Sequence, residues 1–285
     1  MTTRFILIDT SHAGNVGAAA RAMKVMGFDD MVLVAPRWDN VLRREETIQR
    51  SSGALDVLAK ARIVGTLDEA LDGLTHLCAT AMTARDFGPP TRSPRVHFDL
   101  LLNAEQDMTI SQRHLPENAQ NIGFLFGSER YGMKNEDVYR CHVALQIPTN
   151  PKFGSLNLGA AVQLIAYEWR LALGGFAGVD GAIAAASAAH GPTDSKPTGA
   201  SDPSGSKQAQ KLADARAVAG MLAHLEQALV HLKYLDPAAP KKLMPRLNTL
   251  FNRADLRQEE VHILRGIAKA ALQASPKPRS GQIPD

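Results

Sequence analysis

Short runs of strand-forming residues alternate with amphipathic helical patterns through the first 173 residues of this 285-residue chain. Strands that are joined by helices pair in parallel, and the helices then cover both faces of the sheet. The alternation therefore predicts an α/β fold with a mostly parallel sheet. The predicted strands are Arg4–Asp9, Met31–Ala35, Ala61–Val64, His76–Thr80, Ile122–Phe126 and His142–Ile147.

The last helix of this region is predicted over Ser155–Leu173. Ser155 is a favourable N-cap, because a serine hydroxyl accepts a hydrogen bond from a free amide of the first helical turn. Apolar residues recur along the segment at helical spacing and are predicted to face the core. They are Leu158, Ala161, Val162, Ile165, Ala166 and Trp169.

The composition changes after residue 173. Residues 174–206 are rich in Gly, Ala, Ser, Pro and Thr and contain few large apolar side chains, which is typical of a flexible linker. Helical patterns then return at Lys207–Leu235, Lys241–Asn252 and Gln258–Ala274. The predicted organisation is an α/β domain (1–173), a linker (174–206), a small helical extension (207–275) and a tail (276–285).

Positive charge is concentrated in the C-terminal part of the chain. Residues 1–206 contain 19 Lys and Arg against 22 Asp and Glu, whereas residues 207–285 contain 13 against 7. This excess favours a nucleic-acid partner, because cationic side chains release counterions from phosphates. A solvated helical surface would have the same composition, so charge alone leaves both interpretations open. The extension is too small for an active site of its own but large enough for a docking arm.

The two cysteines, Cys78 and Cys141, are far apart and lack the spacing of a zinc site. We predict reduced core thiols and no bound metal. The N-terminus leads directly into a strand rather than into a signal peptide, and no segment has the length and apolarity of a membrane span. These features predict a cytoplasmic protein without a membrane partner.

The first polar motif, Asp9-Thr-Ser-His-Ala-Gly-Asn-Val-Gly17, leads from the first strand into a helix. Amide groups at such a helix start can bind phosphate. The glycine spacing differs from that of a dinucleotide-binding fingerprint, and the second strand ends in Pro36-Arg37 rather than in an acidic residue that would bind a ribose. Both differences argue against a nicotinamide-dependent enzyme.

Three further polar loops follow predicted strands. They are Thr80-Ala-Met-Thr-Ala-Arg85, Gly127-Ser-Glu-Arg-Tyr-Gly132 and Ile147-Pro-Thr-Asn-Pro-Lys-Phe-Gly-Ser-Leu-Asn-Leu158. The carboxyl ends of parallel strands meet at one edge of a sheet, where open α/β folds bind their ligands. The loops therefore predict a ligand site at that edge.

Three of these motifs, in this order, resemble those of the SPOUT superfamily of RNA 2′-O-methyltransferases. They are Asn15-x-Gly17-x-x-x-Arg21, Phe126-Gly-Ser-Glu129-Arg-x-Gly132, and Ile147-Pro148 with Ser155-Leu-Asn157-Leu. Within the superfamily, the chain is similar to the bacterial enzymes that methylate the ribose of cytidine or uridine at position 32 of the tRNA anticodon loop. The resemblance is dense over residues 4–173 and returns over residues 222–272.

The resemblance implies a trefoil-knotted domain in which the segment around residues 121–170 threads through a loop and forms an S-adenosylmethionine pocket. It also implies a tRNA substrate rather than DNA, and a homodimer in which Arg21 acts in the partner's site. The implied cofactor-binding residues are Thr80, Ala81, Met82, Gly127, Ile147, Gly154, Ser155 and Leu156. The implied catalytic residues are Arg21, Asn15, Glu129, Ser155 and Asn157.

Two alternatives to this function stay open on the sequence alone. The motifs identify the chemistry rather than the nucleotide, so the target could lie in ribosomal RNA or at another tRNA position. The other alternative is a cofactor-free RNA-binding protein on the same fold, against which the presence of Arg21, Glu129, Ser155 and Asn157 argues.

Overall fold

The computed structural model describes residues 2–81, 83, 85–102, 120–176, 212–240 and 242–274. In these ranges seven strands form one sheet, in which every pairing is parallel. The strands are β1 (Thr2–Ile8), β2 (Asp30–Val34), β3 (Arg62–Val64), β4 (His76–Thr80), β5 (Thr91–Arg92), β6 (Asn121–Phe126) and β7 (Val143–Leu145). Their order across the sheet is β3-β2-β1-β6-β4-β7-β5, which confirms the predicted α/β class.

The middle of the sheet is covered on both faces. Phe5 of β1 is paired with Met31 of β2 on one side and with Phe124 of β6 on the other. On β4, Cys78 is paired with Phe124 and with Val143 of β7. All of these side chains are buried on one face of the sheet, and the neighbouring residues Ile6 of β1 and Leu125 of β6 are buried on the other face, as strands in a parallel sheet require.

Seven α-helices of the described part belong to the α/β region. They are α1 (Ala13–Val25), α2 (Glu45–Ser51), α3 (Leu55–Lys60), α4 (Leu67–Ala70), α5 (Pro94–Leu102), α6 (Asn135–Tyr139) and α7 (Leu158–Ala172). α7 packs against both α1 and α5. At the centre of this layer Trp169 is fully buried, its ring contacts Phe98 and Phe124 edge-on, and its Nε1 donates to Thr3 Oγ1 at 3.1 Å.

The C-terminal extension contains three helices in its described residues: α8 (Ala215–His231), α9 (Leu243–Arg253) and α10 (Gln258–Gln273). Met221 and Leu222 of α8 pack with Val261 of α10 in a small core of their own. The extension also contacts the α/β region, because the amide of Ala215 donates to the carbonyl of Leu74 at 2.6 Å.

The six predicted strands are all present, but their ends differ from the prediction. β1 and β2 each stop one residue early, because Asp9 and Ala35 have positive φ angles of 52° and 44°, outside the range of extended strands. β7 is shorter than predicted at both ends. β5 is absent from the sequence prediction, since Thr91–Arg92 is a two-residue strand that pairs only with β7.

The prediction that Ser155 caps α7 is wrong. α7 begins at Leu158, and its cap is Asn157, whose Oδ1 accepts a hydrogen bond from Gly159 N at 2.9 Å. Five of the six apolar positions predicted on this helix are buried, and Ala161 is partly exposed.

In the extension, α8 begins later than predicted, because Asp214 Oδ1 accepts a hydrogen bond from Ala217 N at 2.6 Å and caps the helix at that point. Residues 177–211, which include most of the predicted linker, and the predicted tail at 276–285 lie outside the described residues. Both cysteines are free and buried, as predicted. Among the described helices, none combines the length and apolarity needed to cross a membrane.

Candidate active site

A cavity of about 440 Å³ opens at the carboxyl edge of the sheet, beside the ends of β4, β6 and β7. Its volume is in the range of small-molecule binding sites. Every implied cofactor-binding residue that the structure describes lines it. These residues are Thr80, Ala81, Gly127, Ile147, Gly154, Ser155 and Leu156, whereas Met82 lies outside the described residues.

Hydrogen bonds hold the three strand ends together below the cavity. The hydroxyl of Thr80 at the end of β4 donates to the carbonyl of Leu125 on β6 at 2.8 Å. The amide of Ala81 donates to the carbonyl of Leu145 on β7 at 3.0 Å. The loops that follow these strands therefore leave the sheet at fixed positions.

The loop from Gly127 to Gly132 is a tight turn. Ser128 and Gly132 exchange two backbone hydrogen bonds, at 3.1 and 2.8 Å, and Gly132 has a φ angle of +67°, which favours glycine. A Cβ atom at Gly127 would lie 2.2 Å from the carbonyl carbon of Gly132, so this position has no room for a side chain. The turn presents Glu129 to the start of α1.

Glu129 is the centre of a hydrogen-bond network that joins three polar segments. Its Oε2 accepts hydrogen bonds from the amide of Ser11 at 2.9 Å and from its hydroxyl at 2.7 Å. Its Oε1 accepts from Asn15 Nδ2 at 2.9 Å, and Asn15 Oδ1 accepts in turn from Asn157 Nδ2 at 2.8 Å. The network fixes the start of α1, the Glu129 turn and the start of α7 relative to one another.

The same network sets the charge of the carboxylate. Burial raises the pKa of Glu129, but hydrogen bonds from Asn15 and Ser11 to the ionised form outweigh that effect, so the pKa lies below its ordinary value. Glu129 is therefore anionic at neutral pH and acts as a hydrogen-bond acceptor only.

Ser11 is a site residue that the sequence prediction missed. The sequence suggested that amides at the start of α1 could bind a phosphate, whereas the amide of Ser11 binds the carboxylate of Glu129. The available signal was a serine three residues after the end of β1, but nothing in the local pattern identified a partner 118 residues away.

Arg21 lies apart from the cavity. It is exposed on α1, does not line the cavity, and makes no hydrogen bond or ion pair with any residue that the structure describes. Lys24, one turn further on, is engaged by Asp56 at 2.7 Å and by the carbonyl of Gly53 at 2.8 Å. Of the implied catalytic residues, Glu129, Asn15, Asn157 and Ser155 thus lie at or beside the cavity, and only Arg21 does not.

A cluster of buried histidines lies between β4 and α5. His76 Nε2 and His97 Nε2 are 3.1 Å apart, and Cys78 Sγ is 3.9 Å from His97 Nε2. These three residues have the chemistry of metal ligands. The Nδ1 atoms of both histidines have no partner among the described residues, however, whereas metal-bound histidines usually donate that N–H to an acceptor. The geometry therefore favours a buried hydrogen-bonded pair.

A second cavity, of about 890 Å³, lies between α4, α6 and the helices of the extension. Its lining includes the charged residues Arg140, Arg216 and Arg265. Arg140 is paired with Asp68. None of the implied site residues lines this cavity, so the smaller cavity is the candidate active site.

Two family models match the sequence. The SpoU rRNA Methylase family matches residues 2–167, which contain the sheet and the whole 440 Å³ cavity. The model described as tRNA methyltransferase TrmJ, C-terminal domain, matches residues 216–280, which contain α9, α10 and nearly all of α8.

Known proteins are similar over nearly the whole chain. The tRNA (cytidine/uridine/adenosine-2'-O-)-methyltransferase TrmJ of Pseudomonas aeruginosa (strain UCBPP-PA14) is 38% identical over 265 residues, covering 93% of this chain and 91% of that protein. The crystal structure of TrmJ from Z. mobilis ZM4 has a TM-score of 0.69 at 28% identity, covering 95% of this chain and 99% of that one.

A shorter solved structure, a probable methyltransferase from Bordetella pertussis Tohama I, is 42% identical with a TM-score of 0.52, covering 60% of this chain and 95% of that one. The matched ranges therefore span the residues of the cavity, of the polar network and of the extension, and they confirm the resemblance carried by the motifs. The chain belongs to the SpoU family of methyltransferases and, within it, to the TrmJ group.

Proposed function

We propose that this protein transfers a methyl group from S-adenosylmethionine to the ribose 2′-hydroxyl of cytidine or uridine at position 32 in the tRNA anticodon loop. The observation that carries the proposal is the Glu129 network beside a small-molecule cavity in a chain of the TrmJ group. The name of the Pseudomonas relative also includes adenosine, so all three nucleosides belong in the assays.

The cavity suits an adenine nucleoside. Apolar side chains, among them Leu145, Ile147 and Leu158, line it together with the backbone of the Gly127 turn, so a base can be bound by packing and by main-chain hydrogen bonds. S-adenosylmethionine, when bound, supplies the methyl group from its sulfonium centre. Calorimetry with S-adenosylmethionine tests this step, and absence of binding would leave only an RNA-binding protein on this fold.

The Glu129 network holds the polar groups beside the cavity in fixed orientations. Asn15 donates to Glu129 and accepts from Asn157, so its amide is fixed in one orientation, and Asn157 in turn is fixed by capping α7. Fixed polar groups beside the cavity can orient a ribose without further loss of conformational freedom. Most of the rate enhancement is then expected to come from positioning.

We assign Arg21 to the partner's site in a homodimer. Its guanidinium is exposed and has no partner in its own chain among the described residues, so it is available to a second protomer. Guanidinium groups keep their proton near neutral pH, which makes arginine a poor general base. Arg21 instead binds the phosphate beside the target ribose and stabilises developing negative charge on oxygen.

The role of Arg21 is tested by single-turnover methylation with Arg21→Lys across a range of pH. Lysine keeps the charge but loses the fork that binds two oxygens at once, so the rate should fall at every pH. A variant that keeps its activity, with only a shifted pH profile, would show that the fork geometry is unimportant.

Mixing two inactive variants tests the exchange between protomers. A dimer of the Arg21→Ala protein lacks the arginine in both active sites, and a dimer of the Glu129→Gln protein lacks the carboxylate in both. If Arg21 acts across the interface, an equal mixture forms hybrid dimers with one complete site, and about a quarter of the wild-type activity returns after statistical exchange. If Arg21 acts within its own chain, no hybrid has a complete site and no activity returns.

Two features support RNA as the substrate. The exposed aromatic side chains of Tyr131 and Phe153, 85% and 77% accessible, flank the cavity loops, where they suit unstacked bases of a single-stranded loop. The net positive charge of residues 207–285 suits the phosphates of the same RNA.

The description of the SpoU family favours rRNA as a second candidate substrate, whereas the match of the extension to a tRNA methyltransferase domain favours tRNA. Ribose-methylation mapping of total RNA from a strain that lacks this gene separates them. Loss of ribose methylation at tRNA position 32 supports the proposal, and loss of ribose methylation in rRNA supports the second candidate. Methylation that is unchanged at every position contradicts both.

The proposal extends to architecture and location. Residues 1–173 form the catalytic domain, with the trefoil knot in the segment around residues 121–170, and 174–206 link it to the extension. The position of β6 between β1 and β4 supports the knot, because both of these strands precede β6 in the chain and β6 must enter the sheet between them. The protein acts in the cytoplasm, where its tRNA substrate is processed.

A further inference from the structure

The loop after β4 forms one wall of the 440 Å³ cavity and carries an unfavourable backbone conformation. Thr83 and Arg85 of this loop line the cavity beside Thr80. Two residues further on, Phe87 has a φ angle of +63°, a region in which a bulky side chain is rare. Such a conformation persists only where the surroundings hold it.

The surroundings of Phe87 come from the C-terminal extension. Lys242 Nζ lies 3.9 Å from the centroid of the Phe87 ring, and Arg246 Cζ lies 5.1 Å from it. The hydroxyl of Thr249 is 3.3 Å from the carbonyl oxygen of Phe87. Lys242, Arg246 and Thr249 are four and three residues apart, so they lie on one face of α9 and its N-terminal cap.

A second set of contacts connects α9 to the same loop through α6. Asn252 Nδ2 of α9 donates to the carbonyl of Tyr139 at 3.3 Å, and the hydroxyl of Tyr139 donates to the carbonyl of Asp86 at 3.2 Å. The loop is thus held by the extension directly at Phe87 and indirectly at Asp86.

The loop is connected in turn to the wall that contains Glu129. Arg85 Nη2 donates to the carbonyl of Met133 at 3.0 Å, and Arg85 Nε donates to Asn135 Oδ1 at 2.8 Å. Met133 follows directly after the Gly127–Gly132 turn and also lines the cavity. Continuous contacts therefore run from α9 through the loop to the opposite wall.

We propose that Lys242 and Arg246 are positioning residues of the cofactor pocket, acting through Phe87. The proposal rests on the proposed function, in which this cavity binds S-adenosylmethionine. The extension then has two roles, because the helix that contributes positive charge for RNA also holds a wall of the cofactor site. This differs from a docking arm that is independent of the catalytic domain.

The test compares two double variants of the full-length protein with the same loss of charge. Lys242→Ala/Arg246→Ala removes both cations from Phe87, whereas Lys233→Ala/Lys269→Ala removes two exposed cations of the extension that have no contact with it. Calorimetry gives the dissociation constant of S-adenosylmethionine for each. Loss of two cation–π contacts should raise the dissociation constant of S-adenosylmethionine about 5- to 30-fold in Lys242→Ala/Arg246→Ala. The dissociation constant should not change in Lys233→Ala/Lys269→Ala.

Conservative replacement and kinetics distinguish positioning from a general loss of structure. Lys242→Arg/Arg246→Lys keeps both cations beside the ring. Its affinity for S-adenosylmethionine should therefore stay within about threefold of wild type, which is less than the effect of losing one cation–π contact. In the alanine variant the KM for S-adenosylmethionine should rise while kcat at saturating cofactor and RNA stays unchanged, because only the docking of the wall is altered.

A double-mutant cycle with Phe87→Leu tests the route of the effect. Leucine keeps an apolar side chain but removes the ring that the cations contact, so it should weaken cofactor binding alone, and the alanine pair should add nothing in its background. Additive effects would overturn the proposal, as would unchanged affinity in the alanine pair or equal weakening in both charge-matched variants. Failure of the wild-type protein to bind S-adenosylmethionine would instead overturn the proposed function itself.

Discussion

Replacing Glu129 with glutamine changes one oxygen to an amino group and leaves the size of the side chain unchanged. In the wild-type protein the two carboxylate oxygens accept three hydrogen bonds, two from Ser11 and one from Asn15. A glutamine can offer an oxygen to only one of these partners. Its NH₂ group must then face either the amide of Ser11 or the NH₂ of Asn15, and both of those groups are donors.

The size of the expected effect on activity and stability follows from this mismatch of donors and acceptors. At least one charge-assisted hydrogen bond is lost, and one donor is left opposed to another, which together cost about 2–4 kcal/mol. If the network is needed in the transition state, kcat/KM falls by up to about 30- to 1000-fold, since each 1.4 kcal/mol corresponds to a factor of ten. The free energy of unfolding should decrease by a similar amount, because the network joins three segments of the folded protein.

The assay is single-turnover methylation of tRNA at saturating S-adenosylmethionine, with urea unfolding of the same samples. Glu136→Gln is the matched control, since Glu136 is exposed on α6 and has no hydrogen bond to any residue in the described ranges. Because the pKa of Glu129 is below its ordinary value, the carboxylate is ionised at neutral pH, and its stabilising effect is lost only as the pH falls through the lowered pKa. The difference between wild type and Glu129→Gln should therefore be constant between pH 6 and 8.

Two results would refute this reasoning. If Glu129→Gln keeps wild-type activity and wild-type stability, the network does not organise the site. If stability falls but kcat/KM stays within about threefold of wild type, the network is structural only and Glu129 has no role beside the ribose.

Three further predictions concern the protein around the site. Burial lowers the pKa of His97 and of His142 to about 4, so both contribute stability that is complete above the unfolded value near 6.5 and is lost as the pH falls towards 4. Together these two groups should lower the free energy of unfolding, measured in urea, by about 3–4 kcal/mol between pH 7 and 5. His76, whose pKa is also lowered by burial, should add to this loss, and His97→Phe should make the loss smaller. Gly127→Ala places a Cβ atom 2.2 Å from backbone and should weaken S-adenosylmethionine binding about tenfold by calorimetry, whereas Gly53→Ala, with open space around it, should not. Trp169→Ala empties the fully buried centre of the α7 layer and should cost about 3–5 kcal/mol in urea unfolding.

Each of these predictions has a clear contrary result. Stability that is equal at pH 7 and pH 5 would show that the buried histidines are accessible to protons in the folded state. Equal cofactor affinity in the two glycine variants would show that the turn adapts to a side chain. A loss below about 1 kcal/mol for the tryptophan variant would show that the core can close around the missing ring.

The sheet was predictable because its strands are continuous apolar segments with helices between them. The two-residue β5 was not, since Thr91–Arg92 has no apolar run and is a strand only because β7 lies beside it. The start of α7 could not be fixed either, because Ser155 and Asn157 are both good N-caps and only the hydrogen bond to Gly159 distinguishes them.

The site was predictable in part for a similar reason. Glu129, Asn15 and Asn157 are in motifs that the family resemblance identifies, but Ser11 became a site residue only through a contact between segments that are distant in the chain. The contact of Lys242 with Phe87 is of the same kind. Sequence patterns describe local periodicity, and they do not contain the packing that brings such pairs together.

The most direct measurement is methyl transfer by the purified protein to a chosen ribose. An unmodified tRNA and an identical tRNA with a 2′-deoxynucleotide at position 32 are each incubated with S-adenosylmethionine labelled in its methyl group, and the modified position is mapped. We expect cofactor-dependent labelling of the first tRNA at the ribose of nucleotide 32 and none of the second. Equal labelling of both RNAs, labelling on a base, or no transfer to either would contradict the proposed function.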